Sequence, residues 1–175
     1  MASVHSTYKI VIAGSPGLAK SCFLKRCDTL NDAKWKSINS VNSIKVTWKT
    51  TQGKISICLC AAPCGDEHKE LRKELYQGAH AAIIILDTDQ FNDDVFVWIR
   101  EIREVVPDIN IAVVLYWVKV PPVDSVPYDG SEYEDVSKHS KVAVFTEACY
   151  DYEKPFIYLM RKLTHDDNLY VLRGL

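Results

Sequence analysis

Short, nearly continuous apolar runs recur along the chain at Tyr8 to Ala13, Ala82 to Leu86 and Ile109 to Trp117, with Val142 to Phe145 as a shorter example. Runs of this length predict strands buried on both faces, as in a parallel sheet. Ser43 to Trp48 and Lys54 to Cys60 alternate more, and the turn signal Thr51-Gln52-Gly53 between them predicts a hairpin. Val95, Trp98, Ile99, Ile102, Val105 and Val106 recur at the spacing of one helix face until Pro107 stops the series. Phe156, Leu159, Met160 and Leu163 repeat that spacing behind Pro155, a residue suited to a first helical turn. Pro121, Pro122, Pro127, Asp129 and Gly130 mark an irregular excursion. The predicted order is strand, helix, two hairpin strands, helix, strand, helix, strand, a loop with a weak helix, strand, helix. Such alternation predicts a sheet covered by helices.

Composition adds bounds to this outline. With 175 residues, 47% hydrophobic and 25% charged, one domain over residues 1–175 is expected. The formal net charge is -2, from 21 basic and 23 acidic residues spread without long runs, so nucleic acid is not an expected partner. No apolar run reaches the roughly 18 residues that span a bilayer. Residue 2 is Ala, and the last of the six cysteines, Cys149, is far from Leu175, so no direct membrane anchor is expected. Six cysteines without an apolar secretory segment at the start point to free thiols and a cytoplasmic location, with any recruitment to membranes or a complex depending on a partner.

The candidate chemistry follows the first strand. Gly14-Ser15-Pro16-Gly17-Leu18-Ala19-Lys20-Ser21 opens a segment, Ser21 to Cys27, that can be helical. A phosphate loop in that position turns backbone N–H groups onto phosphate oxygens, extends a lysine to them and ligates magnesium through a Ser or Thr hydroxyl. Lys20 and Ser21 supply the last two groups, which makes Ser21 the candidate metal ligand. Ala19 stands where the pattern asks for glycine, and its Cβ would crowd the closest approach of backbone and phosphate. Pro16 removes one N–H donor.

Together these blocks resemble the Ras-like small GTPases, the Rab branch most closely, over about residues 7–164. The resemblance is carried by YKIVIAGSPGLAKSCFLKR (Tyr8 to Arg26), Gly53-Lys54, YQGAHAAIIILD (Tyr76 to Asp87), Phe91 to Val114, and Phe145-Thr146-Glu147-Ala148. It implies an α/β phosphate-loop fold with a six-stranded, mostly parallel sheet, one antiparallel strand and helices on both faces. It also implies GTP or GDP with magnesium as the ligand, held by residues 14–21.

The family's other motifs are altered here. Its magnesium-supporting aspartate matches Ala61 or Ala62, and its water-positioning glutamine matches Gly65 or Asp66, where a carboxylate would repel a γ-phosphate. Its guanine-reading Asn-Lys-x-Asp matches Tyr116-Trp117-Val118-Lys119, and Lys119 offers only donors where an acceptor is required. Tyr116 and Trp117 either stack on a base or fill the vacated pocket. The Ser-Ala-Lys loop reads Glu147-Ala148-Cys149, and the effector-loop threonine matches Ser40 or Asn39. The expectation is a pseudo-GTPase that lacks catalytic residues and any firmly held cofactor, and that binds protein partners through residues 36–76. The alternative is an atypical switch in membrane traffic or signalling that still holds GTP or GDP with magnesium. A small kinase is the third reading, disfavoured because no lid or second-substrate motif is present.

The remaining residues are read as structural. Cys58 and Cys60 are expected as small buried thiols, because C-x-C-x-x-x-C is not a usual zinc spacing. Cys64, on the following loop, is the candidate for an exposed reactive thiol. The five histidines form no i, i+4 pair and no motif with a nucleophile, and Asp66 to Lys73 is expected to be a solvated helix face.

Overall fold

The computed structural model describes residues 5–27, 35–38, 41–87, 91–116, 134–147 and 153–172. In chain order the described elements are β1 (His5–Ala13), α1 (Leu18–Cys27), β2 (Lys36–Ile38), β3 (Val41–Thr50) and β4 (Gly53–Ala61). A 3₁₀ turn (Asp66–His68), α2 (Lys69–Tyr76), β5 (Ala81–Asp87), α3 (Phe91–Val105) and β6 (Asn110–Tyr116) follow. The last are α4 (Glu134–Ser137), β7 (Val142–Glu147) and α5 (Lys154–Thr164). The predicted excursion at 121–130 lies outside the described residues, as do Trp117, Val118, Lys119, Asn39, Ser40, Ala148 and Cys149.

The protein is α/β, with one mixed sheet in the order β2-β3-β4-β1-β5-β6-β7. The hairpin makes β3 antiparallel to β4, with Thr50 opposite Gly53, while β1 pairs in parallel with both β4 and β5. The expected six strands become seven, because Lys36–Ile38 adds an antiparallel edge strand to β3. Three residues are too few to show the periodicity by which a strand is recognised in sequence. The expected single strand running against the others is β3.

The apolar runs are explained by burial on both faces. In β1, β5 and β6, Ile10, Ile12, Ala81, Ile83, Ile85, Ala112 and Val114 face one core with Phe23 of α1 and Phe156, Leu159 and Met160 of α5. The intervening Val11, Ala13, Ala82, Ile84, Leu86, Ile111, Val113 and Leu115 face a second core with Tyr76 of α2 and Val95, Ile99 and Ile102 of α3. Period-two alternation therefore divides each strand between two apolar layers. Phe156 is fully buried between Phe23 and Trp48, with ring centroids 5.8 and 5.5 Å away.

β4 and β5 lie on opposite sides of β1, so the C-terminal end of β1 sits where the sheet changes its direction of growth. Open α/β sheets place ligand crevices at that point. The chain's last described residues return to the hairpin, where Val171 bridges Thr50 and the Leu172 N–H donates to the Lys49 carbonyl at 2.8 Å. Among the described residues, no helix is long and apolar enough to cross a membrane.

Phe156→Ala is expected to cost about 3–5 kcal/mol through the cavity left between α1, α5 and the sheet. Urea unfolding of the purified variant measures it.

Candidate functional site

The loop from Gly14 to Ser21 begins where β1 leaves the sheet, and its first residue is fixed by contact with β5. Gly14 has φ +133°, and a Cβ there would lie 2.0 Å from the Ile85 carbonyl oxygen. Only glycine satisfies both the dihedral and the approach. Gly17 lies exposed, with open space around the position of a Cβ. Ser15 is half-buried, Pro16 is exposed, and Leu18 opens α1.

Ala19 is 3% exposed and belongs to the core shared with Phe23, one helical turn further on. Its methyl group is taken up by packing of α1 on the sheet. Ser21, the candidate magnesium ligand, is exposed, and its hydroxyl donates to the carbonyl of Gly17, the residue before α1, 3.2 Å away.

Lys20 is 7% exposed, so its ammonium must find acceptors inside the protein. It donates to the carbonyl of Ala62, just beyond β4, and lies 3.3 Å from the Cys64 sulfur. Cys64 in turn reaches the Gly14 carbonyl at 3.5 Å. Burial pulls the Lys20 amine below its ordinary pKa; Cys64 opposes that shift and the Arg72 charge adds to it. The lysine expected to reach phosphate is thus directed across the loop onto the strand end that follows β4. Cys64, expected as an exposed thiol, is half-buried in this contact. Its contacts with Gly14 and Lys20 join residues 50 and 44 positions apart, a relation that local sequence does not encode.

Ala61 and Ala62, at the place where the resemblance puts a magnesium-supporting carboxylate, are both buried, at 7% and 2% exposure. No group of three or more His, Cys, Asp or Glu side chains suited to a metal occurs among the described residues. Tyr116 is 8% exposed and packs in the first core, which places its ring inside rather than over a ligand. Among the described residues the donor set does not fit a magnesium-bound nucleotide triphosphate: Lys20 is paired with the Ala62 carbonyl, the Ser21 hydroxyl with the Gly17 carbonyl, and Ala61 and Ala62 offer no carboxylate. A cleft of about 600 Å³ between β7, α5 and the chain's last described residues is lined by Phe145, Tyr158, Arg161 and Tyr170, none of them from the loop.

Beyond Cys64, sequence reasoning assigned Asp66 to Lys73 to solvent, and Arg72 is the exception, at 2% exposure. Its guanidinium makes two hydrogen bonds to the Glu101 carboxylate, at 2.8 and 2.9 Å, and a further one to the Gly65 carbonyl. The Tyr76 hydroxyl donates to the same carboxylate at 2.9 Å, and Trp98 stacks 5.1 Å from the guanidinium. Burial alone would raise the Glu101 carboxyl, but the hydrogen bonds from Arg72 and Tyr76 and the Arg72 charge hold it below the ordinary value. Desolvation and the neighbouring carboxylate push the Tyr76 hydroxyl up. This network ties the turn at Gly65, with φ +95°, and the whole of α2 to α3. One signal was available in the sequence: Glu101 follows Trp98 by three and precedes Ile102, so an acid lies beside the apolar stripe of α3.

Compared with models of known protein families, the chain matches none.

Gly14→Ala is expected to destabilise the protein by about 2–4 kcal/mol, and Gly17→Ala by less than about 0.5, as read by chemical denaturation. Glu101→Gln is expected to cost about 3 kcal/mol at neutral pH by leaving Arg72 buried without its counter-charge. Because the folded-state carboxyl lies below its unfolded value, the contribution is present above about pH 4.3 and lost as pH falls through the folded value. The stability gap between wild type and Glu101→Gln should therefore narrow between neutral pH and about pH 3, measured by urea unfolding across that range.

Proposed function

We propose that this chain is a Ras-like, Rab-branch small-GTPase-like domain that has lost the nucleotide cycle and works as a protein-interaction module. The strand order, with a strand-to-helix phosphate-loop turn at the C-terminal end of β1 and one reversed strand in the hairpin, agrees with that fold. The observation that carries the functional reading is the internal pairing of Lys20 with the Ala62 carbonyl and Cys64. A phosphate would have to withdraw a buried ammonium from its acceptor, and a hydrogen bond to a charged group contributes about 1.5–3 kcal/mol. That cost is roughly 10- to 100-fold in affinity, before the absent magnesium support and guanine contacts are counted.

The partner surface in this reading is residues 36–76: the β2 edge, the β3–β4 hairpin, the 3₁₀ turn and α2. In a nucleotide switch such segments change with the γ-phosphate. Here the Arg72–Glu101 pair anchors α2 to α3 from within, which favours one standing conformation for a partner. Partners are expected to be proteins and the setting cytoplasmic, with nucleic acid no part of the function.

Isothermal calorimetry of nucleotide-free protein with GTP and GDP in magnesium is expected to show no binding tighter than about 100 μM, about -5.5 kcal/mol. The thermal midpoints of wild type and Lys20→Met are expected to be unmoved by nucleotide. Micromolar or tighter binding accompanied by turnover would overturn the reading in favour of an active switch.

A further inference from the structure

Cys58 and Cys60 differ in burial: Cys60 is buried and Cys58 half-buried. Standing two residues apart on β4, they project from the face of the sheet covered by α2 and α3, with their sulfurs 4.0 Å apart. Cys60 is 7% exposed within the second core, whereas Cys58 lies half-buried at its border. The cross-strand partners of Cys58 are Lys9 on β1 and Lys45 on β3, and those of Cys60 are Val11 and Ser43. A groove of about 380 Å³ has Val41, Ser43 and both cysteines on its sheet side and Leu71, Glu74 and Leu75 of α2 on the other. The thiol pair therefore lies in an open, largely apolar groove with a lysine on the strand at either side.

The surroundings favour charge on one sulfur only. The hydrogen bond with Cys60 contributes most to lowering Cys58; burial opposes it, and the charges of Lys9 and Lys45 add to it, leaving the thiol at about 6. Cys60 is pushed up by the same hydrogen bond, by burial and by the charge on Cys58. The other charged and titratable groups on this face include the Glu74 carboxylate, which lines the groove and acts against a thiolate, the Arg72–Glu101–Tyr76 network between α2 and α3, and His5, which bonds Ser56 further along β4 at 2.9 Å. Lys9 also holds the Gln77 carbonyl at 2.8 Å, which fixes its ammonium near this face.

We propose that Cys58 is a nucleophilic site for thiol–disulfide exchange, that the groove accepts a small anionic disulfide of the glutathione class, and that Cys60, whose sulfur lies 4.0 Å away, is its positioning residue. In the exchange the Cys58 thiolate attacks one sulfur of oxidised glutathione. The disulfide bond of that molecule breaks and a Cys58–glutathione disulfide forms. The other half leaves as a thiolate and takes a proton from water, so Cys58 is oxidised and the departing half reduced. Resolution by Cys60 is disfavoured, because two residues along a strand hold their Cα atoms about 6.6–6.8 Å apart, the outer limit for a disulfide. The mixed disulfide is the product. The site does not depend on whether nucleotide is bound at the loop.

The test treats the intact chain with oxidised glutathione at about pH 6, quenches it with acid and maps the adduct by peptide mass spectrometry. One glutathionyl group on Cys58 is expected, and Cys58→Ser should abolish it. With iodoacetamide as a neutral probe at about pH 5.5, Cys58 should label about tenfold faster than an ordinary thiol, after allowing for the lower intrinsic nucleophilicity of a low-pKa thiolate. Cys60→Ala should leave the site of labelling unchanged and move the half-maximal pH upward by more than about one unit. Lys45→Ala, at an exposed position, should move it in the same direction by less. An adduct on Cys22 or Cys64 with Cys58 unmodified, or a pH profile unmoved in both variants, would overturn the proposal.

Discussion

A cation buried at the first turn of α1 has to be neutralised by what the fold brings to it, and that requirement organises the surroundings of the loop. Lys20 is almost fully buried and takes the Ala62 carbonyl as acceptor, and that carbonyl is available because β4 ends at Ala61. The Ala62 N–H is already used by the Ile12 carbonyl at 2.8 Å, which aligns the strand exit beside β1. Cys64 then closes the space between the ammonium and Gly14. Gly14 itself is pressed against the Ile85 carbonyl. Loop, strand exit and β5 thus hold one another, and the paired lysine is the hub.

A second buried cation does the same for the segment that follows. Arg72 is satisfied by two oxygens of Glu101 and by the Gly65 carbonyl, while Tyr76 occupies the remaining capacity of the carboxylate. Removing either charge would strand the other in a low-dielectric site, which is why such a pair fixes conformation even where it adds little net stability. The 3₁₀ turn and α2 carry exposed acids and lysines outward from this anchor. The segment is therefore polar outside and pinned to α3 from below.

The two anchors leave the far part of the same sheet face less covered. α2 lies over Cys60 but only borders Cys58, so the strand carries one thiol inside the core and one in a groove. The difference in cover, together with lysines on β1 and β3, gives two residues that look alike in sequence different surroundings.

Much of the fold could be read from the pattern of apolar residues. β1, β5, β6 and β7, the hairpin and the periodic helices α3 and α5 follow from local periodicity, because burial on one or two faces imprints itself on consecutive residues. The edge strand Lys36–Ile38 escaped, being held by pairing with β3 rather than by burial. Of the site, the sequence by itself determined the strand-to-helix turn, the Lys20-Ser21 pair and the absence of carboxylate at Ala61 and Ala62. Only the tertiary structure decided that Lys20 is already paired, that Arg72 is internal and that Cys58 stands between two lysines. Those facts join residues 42, 29 and up to 49 positions apart. Hydrogen-bond partners and burial at such distances depend on how strands are ordered across the sheet, and that order leaves no local periodicity to read.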